Sequence, residues 1–486
     1  KRQGPANREK PQPRGCKRLH SAKKAVVVSS LPVARCGRAT TKKRLPESMQ
    51  QRLPATEKFG YGLGDLASNI VFQVVINFMM YFYTDVFGIG AAAVGTLMLV
   101  VRMFDAITDP LMGGIADRTE TRWGRYRPYL VWIAIPYGIL AVMTFTTPDL
   151  SDSGKLIYAY ITYALLMTAY TAINIPYSAL GGVITSDPQE RASVQSWRFM
   201  LAMAGGALVT ASTLPLVDFF GDGDRQQGFQ MAMVVLSIIA VLAFFGCFAL
   251  TKEREDPTDK AQKQNIFGDF MTVLRNDQWV LVAVITFVLL VAVAMRGAAM
   301  PYYVEYYHGT AAMISVFMTA AMLAGVAGAM FANWASAHYC KVSVMRWAAV
   351  GIIVFHGALL FVPRGQVMLA LALVTIANFC HMVVIPYLFS TVADTVDYGL
   401  ERWGKGAMAM SYSGHLLALK IGIAFGGALT GWILAFVNYA PNQEQTSGAL
   451  NGILFNLAGS QVIAGIVILA CLAFYKLNRE WAERNA

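Results

Sequence analysis

Charge is scarce in this 486-residue chain: Asp, Glu, Lys and Arg together make up 14% of it, while apolar residues make up 56%. Soluble domains carry roughly 25% charged residues, so this composition argues against a water-solvated fold. Cysteine is equally sparse. Cys16 and Cys36 lie near the N-terminus, and Cys247, Cys340, Cys380 and Cys471 are scattered through apolar stretches, with neither metal nor disulfide spacing. The six histidines form no cluster, and no nucleotide-binding motif occurs. A membrane-embedded enzyme would need a nucleophile with its base or a metal cluster, and these residues supply none. ATP-driven chemistry has no motif to rest on either, and no cofactor is implied.

What is present is a series of apolar runs that repeatedly reach the roughly 20 residues needed to span a bilayer as a helix. Breaks at polar, Gly and Pro residues predict twelve helices, near 59–84, 91–116, 128–147, 155–183, 193–219, 229–251, 278–303, 311–335, 343–363, 366–393, 406–436 and 454–476. The expected fold is an all-α membrane protein with two six-helix groups. Its predicted parts are a basic extension at 1–54, a first bundle at 55–251, a polar linker at 252–277 and a second bundle with a short tail at 278–486. Ile175-Pro176-Tyr177 in helix 4 recurs as Ile385-Pro386-Tyr387 in helix 10, 210 residues later, as expected of a duplicated half. Each of these prolines removes a backbone bond and kinks its helix within the membrane.

The net charge of +11 raises the question of nucleic acid, but its location answers it. Residues 1–50 hold fourteen Lys and Arg and two acidic residues, a balance of +12, which leaves the rest of the chain near −1. The charge belongs to a tail rich in Arg, Lys, Pro and Ser. We expect that tail to be disordered and outside the transmembrane protein, with a targeting or polybasic lipid role as the alternative. No nucleic-acid partner is implied. Arg118, Arg122, Arg125 and Arg127 follow helix 2, and Lys252, Arg254, Lys260, Lys263 and Arg275 follow helix 6, whereas the opposite loops have few bases. The positive-inside bias then places both termini in the cytoplasm.

Within the second apolar run stand Arg102, Asp105 and Asp109. At about 100° per residue they fall within about 60° of one another on one helix face. A carboxylate in a membrane costs roughly 2.5–3.5 kcal/mol on insertion scales, so such residues face a cavity or a partner. Asp65, Asn69, Gln73 and Asn77 recur every four residues in helix 1, and Tyr170, Asn174 and Ser178 do so in helix 4, beside Thr171. Amides and hydroxyls both donate and accept, which suits a polyhydroxylated ligand and equally suits hydrogen bonds between helices. Lys420 lies too deep in helix 11 to snorkel and needs an anion or a wet cavity. Arg198, early in helix 5, suits either a ligand or an ion pair. Arg296 and His308 are expected at the membrane interface, near the outer end of helix 7. His381 and His415 are read as packing residues more than as titrating ones.

These residues sit in a set of motifs that resembles the glycoside–pentoside–hexuronide cation symporters of the major facilitator superfamily, the family of the melibiose carrier. The resemblance runs from about Glu57 to Arg479 and rests on Tyr83-Thr84-Asp85-Val86, Arg102 to Pro110, Arg122-Trp123-Gly124-Arg125, Asn174-Ile175-Pro176-Tyr177, Ala393-Asp394-Thr395-Val396-Asp397-Tyr398-Gly399 and Lys420-Ile421-Gly422. It implies a monomeric sugar transporter of a bacterial inner membrane, driven by Na⁺ or H⁺ through alternating access. By position it implies cation-binding roles for Asp105, Asp109, Thr108 and Thr171, with the two aspartates as metal ligands if the ion is Na⁺. It implies substrate contacts from Asn69, Tyr170, Asn174, Arg198 and Lys420. Arg102, Asp117, Arg118, Arg125, Asp394 and Asp397 then serve as gating or structural charges.

One departure bears on the substrate. Asn69, Asn174 and Ser178 stand where the melibiose branch has two aspartates and an aromatic residue, so a carboxylate clamp on a galactosyl group is missing and an anionic sugar is no longer repelled. We therefore expect a different glycoside, a pentoside or an anionic sugar, with Arg198 and Lys420 as available cations. A sugar uniporter, a carrier of lipid or another solute on the same fold, and a non-transporting membrane sensor remain as alternatives.

Overall fold

The computed structural model describes residues 52–185, 188–254, 271–403 and 408–477. The basic extension up to residue 51 and most of the linker, 255–270, lie outside the described residues. Among the described residues twelve helical segments follow one another: α1 (Ala55–Val86), α2 (Ala91–Asp117), α3 (Tyr129–Thr144), α4 (Asp152–Val183), α5 (Pro188–Gly221), α6 (Arg225–Leu250), α7 (Asp277–Tyr307), α8 (Ile314–His338), α9 (Lys341–Leu359), α10 (Val367–Trp403), α11 (Met408–Phe436) and α12 (Ser447–Phe474). Among the described residues ten helices are long and apolar enough to cross a membrane, and α3 is a shorter apolar helix. At 1.5 Å per residue, the 27 residues of α2 also exceed the roughly 30 Å of a hydrocarbon core. The outer surface is apolar, as lipid requires: Leu111, Phe219, Leu242 and Phe436 are all exposed.

Helix starts follow local chemistry. Ser151 accepts from the Gly154 amide before α4, Asp224 from the Gln226 and Gln227 amides before α6, Asn276 from the Gln278 and Trp279 amides before α7, and Thr446 from the Ala449 amide before α12. The prolines of the repeated tripeptide, Pro176 and Pro386, lie inside α4 and α10. A second correspondence is structural. Both α1 and α7 end in a π-helical turn, Phe82–Val86 and Tyr303–Tyr307.

Several helix ends differ from expectation, and two of them bear on the charged residues. α10 runs on to Trp403, past the predicted end at 393, because its apolar stretch passes without a breaker into the polar turn of Asp394, Asp397 and Arg402. α7 extends through its π turn to Tyr307, past the predicted 303, which puts Arg296 deeper in the helix than an interfacial position.

The halves α1–α6 and α7–α12 meet along α2 and α11, α5 and α8, and α1 and α7. Glycines bring α2 and α11 together. A Cβ on Gly95 would lie 2.7 Å from the Ala428 carbonyl oxygen, and one on Gly431 would lie 2.4 Å from that of Ala91. Such backbone approach is how small residues join helices in lipid. The Trp432 indole N–H adds a bond to Thr96 Oγ1 at 3.1 Å. One apolar core fills the first half and continues into Tyr302, Phe317 and Ile453 of the second, while a separate core around Trp279, Ile352 and Leu472 serves the other end.

Candidate functional site

The antiparallel course of α2 and α11 sets the register of the charged cluster. From the Gly95–Gly431 contact, Asp105 lies ten residues, or ~15 Å, along α2, and Lys420 lies eleven residues, or ~16 Å, back along α11. The two helices therefore present Lys420 at the depth of the aspartates. Its ammonium bonds Asp109 Oδ2 and lies 3.5 Å from Asp105 Oδ2. Thr171, from α4, donates to Asp105 Oδ1 at 2.5 Å and stands 3.1 Å from Asp109 Oδ1. Asp105 is buried at 3% exposure, whereas Lys420 is partly open. Two carboxylates, a hydroxyl and an ammonium thus share one space where the halves meet. Among the described residues no group of three or more His, Cys, Asp or Glu could hold a metal ion; the cluster is two carboxylates, a hydroxyl and an ammonium.

The other sequence-selected residues divide. Thr108 turns its hydroxyl to the Asp105 backbone carbonyl at 3.0 Å. Arg102 leaves the aspartates to stand over the Phe72 ring, 4.9 Å from its centroid, and among the described residues no ion pair joins it to either aspartate. Tyr170 stacks on the same ring at 5.3 Å. Asn174 donates to the Tyr170 hydroxyl at 3.1 Å, and its carbonyl oxygen is buried without a hydrogen-bond partner among the described residues. Arg198 Nε is paired with Asp65 Oδ2 at 2.9 Å, so its charge is already met within the first half.

Asn69 and Asn77 bond the carbonyls of Asp65 and Gln73 at 2.9 and 3.0 Å, one turn back along α1. That local satisfaction lets a polar stripe persist in a buried helix. Gln73 and Asn77 face a cavity of about 250 Å³ between the halves, whose wall also includes Met203, Arg296, Met322 and Asn378. Arg296 is a correction: expected at the membrane interface, it is 8% exposed and lines this central cavity. His308 is buried too.

At the end where α1 and α7 finish, polar links close the halves together. Glu305 accepts from Tyr81 at 2.7 Å and pairs with Arg225 at 3.0 Å. Asp85 accepts from Tyr439 at 2.6 Å and from Tyr306, and its carbonyl takes the Asn442 amide at 2.8 Å. The Thr84 and Tyr302 hydroxyls are 2.7 Å apart. In the sequence, Tyr83 to Val86 stands out as a motif but gives Asp85 no task, and Glu305 carries no motif of its own. The tyrosines 302, 303, 306 and 307 flanking Glu305 were the available signal.

At the opposite end, Glu253 accepts the backbone N–H groups of Arg125, Tyr126 and Arg127, each at 2.8 Å. Gly124 permits this through its positive φ of 108°, and a Cβ there would strike the Glu253 carboxylate at 2.5 Å. Asp117 accepts from the Tyr126 hydroxyl at 2.9 Å, and burial, with that bond second, pushes the pKa of the phenol up to about 12. Arg254 pairs with Glu57 at 2.6 Å, and Lys341 with Asp394 at 2.5 Å. Arg118 and Asp397 are exposed.

Comparison with known proteins agrees with this architecture. The family model described as MFS/sugar transport protein matches residues 60–479. The chain is 44% identical over 405 residues to the Escherichia coli inner membrane symporter YicJ, covering 83% of this chain and 87% of that one. It is 40% identical over 431 residues to the putative glycoside/cation symporter YagG of the same organism, covering 88% and 93%. Among solved structures, a bacterial homologue of the human lysosomal transporter Spinster, in an inward-facing and unoccupied conformation, superposes with a TM-score of 0.61 at 14% identity over 87% of this chain and 95% of that one. At that identity the likeness is one of fold, the twelve-helix major facilitator fold.

Proposed function

Because this chain belongs to the MFS/sugar transport protein family, and is a multi-pass membrane transporter and not an enzyme, we propose that it couples sugar entry to a cation bound at Asp105 and Asp109. The observation that carries this reading is the contact of Lys420, from the second half, with both carboxylates that Thr171 bridges in the first.

The ammonium of Lys420 and a coupling cation compete for the same oxygens. A cation held by Asp105, Asp109 and Thr171, with Thr108 beside them, releases Lys420 and so loosens the tie between α2 and α11. Sugar hydroxyls then engage Asn69, Gln73, Asn77, Tyr170 and Asn174, whose unmatched buried carbonyl oxygen accepts one of them. Arg198 acts through Asp65, which it orients. With cation and sugar both bound, the halves rock. Without them, two carboxylates and one ammonium leave an uncompensated charge at the crossing state. The basic loops after α2 and α6 face the cytoplasm in this reading.

The test is uptake of a panel of labelled glycosides into membrane vesicles, with Na⁺ and proton gradients imposed separately. Gradient-driven accumulation by the parent, lost in both Asp105→Cys and Asp109→Cys at unchanged membrane insertion, is expected. Normal accumulation by both variants would refute the assignment.

A further inference from the structure

Arg296 is the buried cation that the coupling mechanism does not use. Arg198 has Asp65, Lys420 has Asp105 and Asp109, Arg225 has Glu305, and Arg102 stands over the Phe72 ring one turn from Asp105. Among the described residues no carboxylate pairs with Arg296, and none lines the cavity it faces. The nearby His356 and His381 supply no negative charge. A guanidinium keeps its proton in a protein, so burial at 8% exposure leaves a full positive charge in the protein interior. Such a charge is costly unless an anion meets it.

The surroundings are built to hold that charge in place. Asn378 Oδ1 accepts from Arg296 Nη1, and the Asn378 amide is tied in turn to the Ala321 carbonyl, so the acceptor is oriented from α8 and α10. Only one of the five guanidinium N–H donors is used in that bond. Next to it, Gly297 lets α1 approach: a Cβ there would lie 3.3 Å from Asn77 Oδ1. Asn77 and Gln73 line the same cavity as Arg296 and Asn378. At about 250 Å³ it lies just below the roughly 300–1,000 Å³ of drug-sized ligand sites, which limits it to a ligand of about one sugar ring, and its methionines adapt to shape.

The geometry points to an oxyanion subsite at Arg296 and Asn378, which takes the carboxylate of an acidic glycoside while the α1 amides take its hydroxyls. The inference rests on the sugar-transport reading and adds the charge of the substrate to it. The guanidinium fork matches a carboxylate in two bonds, which a neutral hydroxymethyl group does not do.

Isothermal titration of the purified full-length chain in nanodiscs with methyl β-glucuronide and methyl β-glucoside isolates that charge, since the two differ only at C6. The uronide should bind at least tenfold more tightly. Arg296→Gln should weaken the uronide at least tenfold and move the glucoside less than about threefold, with Arg296→Lys in between. Asn378→Asp covers the case of a misfolded Arg296 variant: it gives the guanidinium an internal counter-ion, so it should raise the melting temperature and abolish preference for the uronide. Equal or weaker uronide binding by the parent, equal loss of both ligands in Arg296→Gln, or unchanged uronide preference in Asn378→Asp would overturn the subsite. Cation-driven uptake of neutral glycosides alone would sink this inference while leaving the symport reading intact. Absence of cation-driven uptake for any glycoside would sink the latter.

Discussion

The two halves of this protein carry charge into the membrane in opposite ways. In the first, Asp65, Asp105 and Asp109 all meet a cation, two of them through Lys420 of the other half. In the second, Arg296 meets only an amide. A paired charge inside a membrane describes a contact that can be exchanged, because a competing ion offers the same attraction. An unpaired one is open to an anion from outside the protein. In the proposed reading coupling falls to α2, α4 and α11, and substrate charge to α7 and α10.

The sharpest way to break the contrast is to remove its anionic side. Asp109→Asn should reduce initial gradient-driven uptake at least 100-fold in vesicles while facilitated counterflow survives, because the cation loses a ligand and Lys420 loses its bond. Removing the other partner separates binding from coupling. Lys420→Gln should bind the coupling cation about tenfold more tightly, read by cation-dependent thermal shift, since no ammonium has to be displaced, yet it should lose sugar accumulation. Cation affinity unchanged or weaker in that variant would remove Lys420 as the competitor.

Smaller effects belong to the two ends of the bundle. Tyr439→Phe removes one bond from the Asp85 closure and should raise labelling of a cysteine placed at Met318, in the cavity, by a membrane-impermeant reagent about three- to tenfold from the α1–α7 end. Glu253→Ala leaves three loop amides without their acceptor and should cost about 1–3 kcal/mol, seen as a lower melting temperature with transport affinity unchanged.

The smallest concerns Glu190, whose carboxyl Lys58 holds below the usual range through a 2.8 Å ion pair. A carboxyl depressed in the folded state stabilises it above the ordinary value of roughly 4.3, and that contribution is lost as pH falls through the depressed value. Glu190→Gln should therefore lower the melting temperature slightly at neutral pH, by less than about 1 kcal/mol, and converge with the parent in acid. A constant difference at all pH values would mean that the pair contributes through packing.

Much of the fold was legible because lipid imposes a simple rule: every spanning segment must be apolar for about 20 residues and helical. The breaks between such runs show in composition, and so did the tripeptide repeat that marks the duplicated halves. Asp105 and Asp109 were legible for the same reason, since a carboxylate within an apolar run has no trivial explanation. Arg296 was misplaced by the same logic. It stands close to the end of the apolar run, but the helix continues through a π turn, Tyr303–Tyr307, and the hydroxyls of Tyr302 and Tyr306 find partners in the other half, so the arginine lies inward of the helix end. Thr108, for which the family resemblance implied a ligand role, turns its hydroxyl to a carbonyl of its own helix.

Sequence alone determined that this is a helical membrane protein in two halves with a carboxylate pair on α2, because burial in lipid is written residue by residue, and its motifs carried the resemblance to sugar transporters. Only the tertiary structure decided which charges are spoken for. Asp65 finds Arg198 133 positions away, Lys420 reaches Asp109 across 311, and Arg296 reaches no anion among the described residues. Pairing depends on distances between helices, and those are set by the glycine contacts and kinks that bring distant turns to one depth.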